Sequence, residues 1–458
     1  MVDSDAHRVA ESDATGATDS PGEAMHALAR RLFPIARSIT GDGVRETLSI
    51  LGEHVPLEVH EVPTGTRAFD WTVPPEWNIR DAYILDEHGD RIVDVRENNL
   101  HVVGYSVPVD ATLSLAELQP HLHSLVDRPD AIPYVTSYYE RRWGFCLTHT
   151  QRQSLTDGLY RVVIDSELKE GSLTYGEIII PGATPSEVFL STYVCHPSMA
   201  NNELSGPVVM TWLAKWIASQ PRRYTYRLVF IPETIGSLVY LSRHLDALRA
   251  NVVAGFNLTC VGDDRAYSFL PSRLGGTLAD RIALHALALR HPDFVRYSFL
   301  DRGSDERQYC SPGVDLPVVS VMRTKYHEYP EYHTSLDDLT VITPAGLEGG
   351  YTILRDCLEV LEGNRTYRAT CLGEPQLGDR GLYPTLGTTS IYGVVRTMID
   401  LLAYADGAHD LVDIGDMIGV PAMELQGVAQ RLLEHGLLAE VHESRPPVAT
   451  AAPAAAAE

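Results

Sequence analysis

Short apolar runs alternate with longer amphipathic stretches between about residue 160 and residue 364. Four runs have the length and aliphatic content of buried strands: GEIIIPG, EVFLSTYVCH, YRLVFIPE and LPVVSVM. Three stretches between them have helical spacing: GPVVMTWLAKWIAS, GSLVYLSRHLDALRAN and TLADRIALHALALRH. Strands that alternate with helices predict an α/β core with a mixed, largely parallel sheet.

The pattern changes before this core, which indicates a small inserted domain. Residues 69–155 contain short alternating runs separated by Pro, Gly and Asn, as in a β-rich module. The core is therefore assigned to residues 23–68 and 156–370. Within the first segment, the helical spacing of Ala24–Ile39 is interrupted at Pro34, and VRETLSILGEHV predicts a second helix.

The C-terminal part has a third pattern. Residues 383–442 follow the order helix, short helix, helix and strand, which predicts a winged-helix-like domain. Residues 1–22 are rich in Asp, Ser, Ala and Thr, and residues 443–458 are rich in Ala and Pro. Neither end has enough apolar content to offset the entropy of ordering, so both are predicted to be disordered.

The net charge of −24 over 458 residues argues against general affinity for nucleic acids or anionic membranes, because binders of either need a basic face. The predicted recognition helix of the winged-helix domain, Ala422–His435, carries Glu424 and Glu434 against a single Arg431. We therefore expect this domain to contact protein, for example in a homo-oligomer, rather than DNA.

The cysteines and the apolar segments bear on the compartment. The six cysteines are scattered and form no Cys-x-x-Cys pair, which favours free thiols in a reducing environment. The first residues lack the basic-then-apolar order of a secretory signal, and no apolar segment reaches the roughly 18 residues of a membrane helix. These features together predict a cytoplasmic protein.

Polar side chains close several of the apolar runs, where ligands bind in open α/β sheets. His196 ends one run, Glu233 ends another, and Asp264 and His333 follow two more. Two histidines and a carboxylate are the ligands of a catalytic zinc ion, which keeps one position open for water. A lone histidine after a strand is usually a structural hydrogen-bonding group, so His196 taken alone favours that role over metal binding.

Longer motifs resemble a known family. CHPSMANNELSG, FIPETIGS, WTVPPEWNIRDAYI and GSDERQYCSPGVDLPVVSVMRTKYHEYPEYHTSLDDL are similar to segments of bacterial aminopeptidase-like proteins with an inserted domain and a C-terminal winged helix. Those proteins are distant relatives of the M28 zinc aminopeptidases and are often associated with polysaccharide or other biosynthesis. The resemblance implies a phosphorylase/hydrolase-like α/β fold with a metal-dependent hydrolase site.

The resemblance assigns metal ligands position by position. His196 and His333 match the two metal-binding histidines, and Glu233 matches one member of a glutamate pair that supplies a base and a ligand. The second glutamate is missing, so Glu233 serves either as a third ligand or as the base that takes a proton from bound water. Zinc is the expected ion, and another divalent metal remains an alternative.

Several acids of the family pattern are replaced by neutral residues. Asn201 and Asn202 stand where acids are expected, with Glu203 next, and Thr259 stands at a further aspartate position. Two neighbouring divalent cations need bridging carboxylates to offset their repulsion, so one ion is favoured over two. Asn201, Asn202 and Glu203 are then candidates for substrate binding.

Other candidates have structural alternatives. Asp305 and Glu306 resemble an acidic segment that lines the M28 site and are candidate catalytic residues, whereas a solvated turn beside arginines explains them equally well. Asp264 is a candidate replacement ligand or substrate contact, but acids are also common in turns. Arg141 is a candidate grip for a substrate carboxylate, with Tyr138 beside it, although a core aromatic cluster is the alternative.

The preferred function is therefore a metal-dependent amide or peptide hydrolase that acts on a small peptide or aminoacylated biosynthetic intermediate. The alternatives are a non-catalytic binding or assembly protein that keeps the pocket, and an enzyme that forms or cyclises amides at the same site. HTSLDDL also has a metal-free interpretation, in which Thr334 or Ser335 caps a helix. No phosphate-binding loop or nucleophile elbow follows a strand, so nucleotide and serine-hydrolase chemistry lack sequence support.

Overall fold

The structure is a computed structural model that describes residues 20–382 and 389–441. The disorder predicted for residues 1–22 and 443–458 lies outside the described residues, except at residues 20–22. At those three residues the prediction is wrong, because they begin the first helix. Ser20 Oγ accepts a hydrogen bond from Glu23 N at 3.2 Å and so caps that helix.

Two helices and one strand come before the small domain. They are α1 (Pro21–Leu32), α2 (Asp42–Gly52) and β1 (Glu58–Pro63). The predicted interruption of the first helix is confirmed, since α1 ends at Leu32, shortly before Pro34. The buried faces of α1 and α2 belong to the largest hydrophobic core of the described chain.

The inserted domain is built on a four-stranded antiparallel sheet. The strands of the whole domain are β2 (Arg67–Ala68), β3 (Trp71–Thr72), β4 (Glu76–Leu85), β5 (Arg91–Asp94), β6 (Val109–Ser114), β7 (Leu122–His123), β8 (Phe145–Cys146) and β9 (Leu159–Lys169). Strands β2 and β3 pair with each other, as do β7 and β8. Its helices are α3 (Leu115–Leu118) and α4 (His149–Ser154), with 3-10 turns at Asn99–His101 and Gln119–His121. The main sheet has the order β5-β4-β9-β6. Because β9 pairs with β4 and β6, this sheet extends beyond the predicted boundary at residue 155.

The α/β core is built on an eight-stranded mixed sheet with the order β1-β10-β12-β11-β13-β16-β14-β15. Its further strands are β10 (Ser172–Ile180), β11 (Glu187–Tyr193), β12 (Thr225–Ile231), β13 (Val252–Leu258), β14 (Ser268–Leu270), β15 (Val295–Arg296) and β16 (Val318–Met322). Its helices are α5 (Ser205–Ala218), α6 (Ile235–Asn251), α7 (Leu278–Arg290), α8 (Glu306–Tyr309) and α9 (Pro344–Gly363), with a π-helical turn at Ala200–Leu204 and a 3-10 turn at Phe299–Asp301. Strands β12, β11, β13 and β16 run parallel, which confirms the predicted fold class.

The central strands are buried on both faces, which explains their continuous apolar runs. On β11, Val188 and Leu190 join the core that contains α1, α2 and α5, whereas Phe189 and Tyr193 join the core shared with α6 and the small domain. The period of two along a strand sends alternate side chains into the two layers. The sheet therefore lies between a helical layer and a layer that includes the inserted domain.

The C-terminal domain is a winged helix. It contains β17 (Thr366–Ala369), α10 (Thr389–Tyr404), β18 (Asp406–Asp410), α11 (Leu411–Ile418), α12 (Ala422–Glu434) and β19 (Leu438–Glu440), after a 3-10 turn at Gly378–Arg380. Its sheet has the order β18-β17-β19, so β17 belongs to this domain although residues 366–370 were assigned to the core. Residues 383–388 and 442 of the predicted domain lie outside the described residues.

Two further features bear on the sequence expectations. Within residues 20–382 and 389–441, no helix combines the length and the hydropathy needed to cross a bilayer. The six cysteines have free thiols, and all but Cys371 are buried.

Candidate functional site

The three predicted metal-site residues line one cleft of about 280 Å³. His196 follows β11, Glu233 follows β12, and His333 lies in the loop between β16 and α9. Since β11 and β12 are neighbouring parallel strands, their carboxyl ends open onto the same edge of the sheet. Sequence positions up to 137 residues apart therefore meet because the sheet order brings these strand ends together.

Buried groups contact the Nδ1 side of the His196 ring. Its Nδ1 lies 3.0 Å from Glu203 Oε2 and 3.3 Å from Cys195 Sγ, and its Nε2 lies 3.6 Å from Glu233 Oε2. Burial opposes charge on this imidazole, but the Glu203 hydrogen bond and the charges of Glu203 and Glu233 outweigh burial and raise the pKa of His196. The carboxylate at Nδ1 fixes the ring and leaves Nε2 to face Glu233.

Glu203 is paired in turn with a buried cation. Arg37 Nε lies 3.4 Å from Glu203 Oε1 and donates a hydrogen bond to the His196 carbonyl oxygen at 3.1 Å. Both side chains of this ion pair are fully buried. Burial lowers the pKa of Arg37, and the charge of Glu203 opposes that effect. Sequence reasoning missed Arg37, because nothing local connects it with a histidine 159 positions away.

His333 faces His196 across the cleft. The two ring centroids are 5.6 Å apart, and the Tyr134 ring lies 5.1 Å from His196 and 5.2 Å from His333. Burial and the neighbouring charges of His196 and His327 lower the pKa of His333 to about 2, so its imidazole is neutral. Its ring nitrogens form no hydrogen bond with any described residue.

Glu233 lies on a strained turn. The next residue, Thr234, has φ 63°, a left-handed conformation that is rare for a β-branched residue. Thr234 N donates to Asp305 Oδ1 at 2.8 Å, and Arg307 donates to Thr234 Oγ1 at 2.5 Å. Burial raises the pKa of Glu233, against the opposing charges of His196 and Arg307.

Asp305 supports this turn and does not line the cleft. It is fully buried and also accepts from Ser237 Oγ at 2.9 Å. Burial, followed by the charge of Glu233, raises the pKa of Asp305 to about 7. Glu306 is fully buried as well, and it accepts from Tyr326 Oη at 2.6 Å and Asn257 Nδ2 at 3.0 Å. The solvated-turn alternative is therefore wrong, whereas the catalytic assignment of these two acids stays a prediction, with both side chains directed to protein partners outside the cleft lining.

Asn201, Asn202 and Glu203 are buried beneath the cleft, with exposures of 0%, 1% and 1%. The backbone N–H groups of Asn201 and Asn202 donate to Asp337 at 2.7 and 3.0 Å, and Asn201 Nδ2 donates to Asp263 at 3.1 Å. Asn202 Oδ1 and Glu203 Oε1 form no hydrogen bond with a described residue, and none of the three residues lines the cleft. Substrate binding by these three residues stays a prediction that their placement outside the lining of the cleft does not support.

Two of the neutral residues that replace acids of the family pattern, Asn202 and Thr259, contact the same tyrosine hydroxyl. Asn202 Nδ2 donates to Tyr193 Oη at 3.0 Å, and Thr259 Oγ1 lies 2.6 Å from the same oxygen. All three residues are buried. The positions where the family pattern has metal-binding acids are thus joined by a neutral hydrogen-bonded cluster.

Two other predicted substrate contacts lie away from the cleft. Asp264 is exposed and accepts a hydrogen bond from Thr343 Oγ1 at 2.6 Å, as expected for a turn residue. Arg141 is exposed and does not line the cleft. Neither placement supports a substrate contact. Tyr138 does line the cleft, where its hydroxyl lies 2.6 Å from that of Tyr134.

The HTSLDDL segment forms turns and no helix, so the helix-capping alternative is wrong. Thr334 Oγ1 donates to the Glu331 carbonyl oxygen, and Ser335 Oγ accepts from Ile132 N at 3.0 Å. Helix α9 begins later, with Thr343 as its cap. The loop before it keeps His333 at φ 55°.

Within the described residues, one group of potential ligand atoms lies within 4.8 Å of one another, in Cys195, His196 and Glu203. This group fits a metal ion poorly, because the Arg37 guanidinium already neutralises Glu203 and His196 Nδ1 already has a carboxylate partner. The cleft side of His196, which faces Glu233 and His333, offers donors of the kind that zinc prefers.

The parallel-stranded core, the inserted small domain and the C-terminal winged helix together define an aminopeptidase-like protein. A zinc aminopeptidase from Bacillus subtilis is similar in structure, with 11% identity, a TM-score of 0.53, and coverage of 73% of this chain and 94% of that chain. Identity at this level supports a shared fold alone. The chain belongs to the family of the domain of unknown function DUF4910, whose model matches residues 26–364, and a winged helix-turn-helix model matches residues 365–440.

Two matches from Clostridium acetobutylicum extend over nearly the whole chain. One protein is 44% identical over 421 residues, which cover 91% of this chain and 96% of that protein. Its name provisionally assigns it to polysaccharide biosynthesis and gives it an aminopeptidase-like domain. A crystal structure of a provisionally assigned peptidase is 43% identical, with a TM-score of 0.86 and coverage of 92% and 96%.

Proposed function

We propose that the protein is a metal-dependent amide hydrolase for a small peptide or aminoacylated biosynthetic intermediate. In this proposal one divalent ion, most suitably zinc, is held by His196 and His333 beside Glu233. The observation that carries it is the pair of imidazoles whose centroids are 5.6 Å apart, with Glu233 Oε2 3.6 Å from His196 Nε2. The aminopeptidase-like fold and the name of the Clostridium relative support the same class of chemistry.

The separation of the two histidine rings is close to that expected for one zinc ion, but the ligand atoms of His196, His333 and Glu233 do not all lie within 4.8 Å of one another, so binding of an ion would have to draw them together. Two imidazoles on one tetrahedral zinc have ring centroids roughly 5 Å apart, given Zn–N bonds of about 2.0–2.1 Å. His196 presents Nε2 because Glu203 holds Nδ1, and His333 is neutral with no hydrogen bond from a described residue. Both rings therefore have a nitrogen that forms no hydrogen bond with a described residue, although His196 Nε2 lies 3.6 Å from Glu233 Oε2.

A second ion lacks support in this donor set. The cluster of Asn202, Thr259 and Tyr193 carries no negative charge, and each member already has a hydrogen-bond partner. Without a bridging carboxylate, the repulsion between two divalent cations is not offset. The proposal is therefore for one ion per chain.

The bound ion would polarise an amide carbonyl and lower the pKa of water. Glu233 would accept the proton of the attacking water and return it to the leaving amine. Burial raises the pKa of the Glu233 carboxyl, which favours its uptake of a proton. Asp305 holds the Glu233–Thr234 turn through the Thr234 N–H, and the Tyr134 ring lies beside both imidazoles.

The test is metal content by mass spectrometry after zinc reconstitution, followed by a screen of dipeptides and aminoacyl amides. We expect about one zinc per chain in the wild type, marked loss in His333→Ala, and no change in His88→Ala, which removes an exposed imidazole of the small domain. Glu233→Gln should keep the metal and lower turnover about 10²- to 10⁴-fold, as loss of a general base does. Absence of bound zinc in reconstituted wild-type protein would contradict the proposal.

A second candidate is a binding or assembly protein without catalysis. The neutral cluster around Tyr193 favours it, because the family's acidic ligands are absent there. Amide formation or cyclisation at the same cleft is a related alternative. Hydrolysis of any amide in the screen that Glu233→Gln abolishes would exclude the non-catalytic candidate.

A further inference from the structure

The cleft has walls of different chemistry, and this difference indicates the class of ligand. One wall carries His196, Glu233 and Arg307, which follow the carboxyl ends of core strands or lie on α8. The facing wall comes from the inserted domain and contributes aromatic rings, including Trp71 and Tyr138. A volume of about 280 Å³ is at the small end of ligand pockets and suits a group of dipeptide size.

Arg307 has an unusual position for an arginine of a strongly acidic protein. Among the described residues that line the cleft, it is the one with a permanent positive charge. Its Nε is buried and has no hydrogen-bond partner, and no carboxylate of a described residue forms an ion pair with it. Arg307 Nη2 donates a hydrogen bond to the neutral hydroxyl of Thr234. The Nε itself is sealed from the cleft, but a guanidinium that lines the cleft without a carboxylate partner among the described residues keeps its charge available for a ligand.

We propose that Arg307 is the specificity residue of the cleft, and that it pairs with a carboxylate on the ligand. This inference deepens the proposed amide hydrolase and rests on it for the scissile amide. The guanidinium fork matches a carboxylate with two parallel hydrogen bonds. Because Arg307 contacts the residue next to Glu233, the carboxylate lies on the same side of the ligand as the reacting amide.

The aromatic wall defines the other part of the ligand. Trp71 and Tyr139 lie edge to face with ring centroids 5.7 Å apart, and both side chains are partly exposed at 40% and 55%. Exposed aromatic rings beside a cleft offer apolar area for a flat group and are not needed for the core. The ligand class is therefore an acylated amino acid or short peptide with a free carboxylate and an aromatic or other flat apolar group.

The test measures equilibrium binding, so that it does not depend on catalysis or on metal. Two probes of the same shape differ by one charge: N-benzoylglycine and its carboxamide, N-benzoylglycinamide. Calorimetric titration in the presence of a chelator compares both probes on the wild type, Arg307→Met, Arg307→Lys and Arg302→Met. Arg302 is an exposed neighbour whose loss removes the same charge outside the cleft.

We expect the wild type to bind the carboxylate probe about 10- to 100-fold more tightly than the carboxamide, as expected for a hydrogen bond to a charged group. Arg307→Met should abolish that preference, Arg307→Lys should keep part of it, and Arg302→Met should keep all of it. Equal affinity of the wild type for both probes, or no binding of either at millimolar concentration, overturns the proposal. An equal loss for both probes in Arg307→Met also overturns it, because Arg307 would then act only by holding Thr234.

If Arg307→Met does not fold, the wild-type preference and its partial loss in Arg307→Lys decide the question. A charge preference without any amide turnover would mean that the cleft recognises carboxylates while the hydrolase proposal fails. Turnover of uncharged amides without a charge preference would mean that the hydrolase proposal holds while the proposal for Arg307 fails. The two proposals therefore fail by different results.

Discussion

The buried pair of Arg37 and Glu203 gives the sharpest test of how the fold positions the candidate site. Glu203→Gln keeps the shape of the side chain and removes its charge. Arg37 would then remain fully buried without a counter-ion, since its other contacts are to carbonyl oxygens of Leu32 and His196 and to a threonine hydroxyl. His196 would also lose the carboxylate at its Nδ1.

The expected loss of stability in Glu203→Gln follows from the distance between the two charges and from their burial. At 3.4 Å, two unit charges attract by about 5 kcal/mol for an effective dielectric constant of roughly 20. Desolvation offsets much of this attraction in the intact pair, but removal of one partner leaves the other charge buried. We therefore expect Glu203→Gln to lower the free energy of unfolding by about 3–5 kcal/mol.

A double-mutant cycle separates the pair from its surroundings. Urea unfolding would be followed by tryptophan fluorescence for the wild type, Glu203→Gln, Arg37→Met and the double variant. Since the double variant leaves no unpaired charge, it should be more stable than the sum of the single changes predicts, by about 1–3 kcal/mol. A loss below about 1 kcal/mol in Glu203→Gln, or additivity within about 0.5 kcal/mol, would refute the reasoning.

Two further predictions concern packing and pH. Gly206→Ala should lower the free energy of unfolding by about 1–3 kcal/mol or more, because the added Cβ would lie 2.2 Å from Thr192 Oγ1 and 2.5 Å from the Leu258 carbonyl oxygen. The control is Gly427→Ala on α12, where the added Cβ meets open space. This control should raise the free energy of unfolding by about 0.5–1 kcal/mol in the same assay. Burial raises the pKa of Asp305 from its ordinary value of 3.8 to about 7, so the folded state holds a proton that the unfolded state has released, and stability should fall as pH rises through this window. Asp305→Asn should make that fall shallower in thermal unfolding at a series of pH values, and an unchanged slope would show that Asp305 does not cause it.

Much of the site was accessible from local sequence. His196, Glu233 and His333 each follow an apolar run, and the rule that ligands gather at the carboxyl ends of parallel strands predicts that they meet. Local sequence also identified the acids after the GS of GSDERQYC, but it did not reveal that both are buried. Asp305 and Glu306 are buried by helix α6 and by Tyr326, and burial of this kind depends on elements far away in the chain.

The sequence by itself determined the fold class, the two appended domains and which strand ends carry chemistry, because hydrophobic periodicity and strand-end polarity are local properties. Only the tertiary structure decided which polar groups face the cleft and which face protein partners. It turned Asn201 and Asn202 inward, left Arg141 outside the cleft, and placed Arg307 in the lining of the cleft. The physical reason is that a polar side chain takes its role from the partners and the water available at its final position, and these are set by contacts between distant segments.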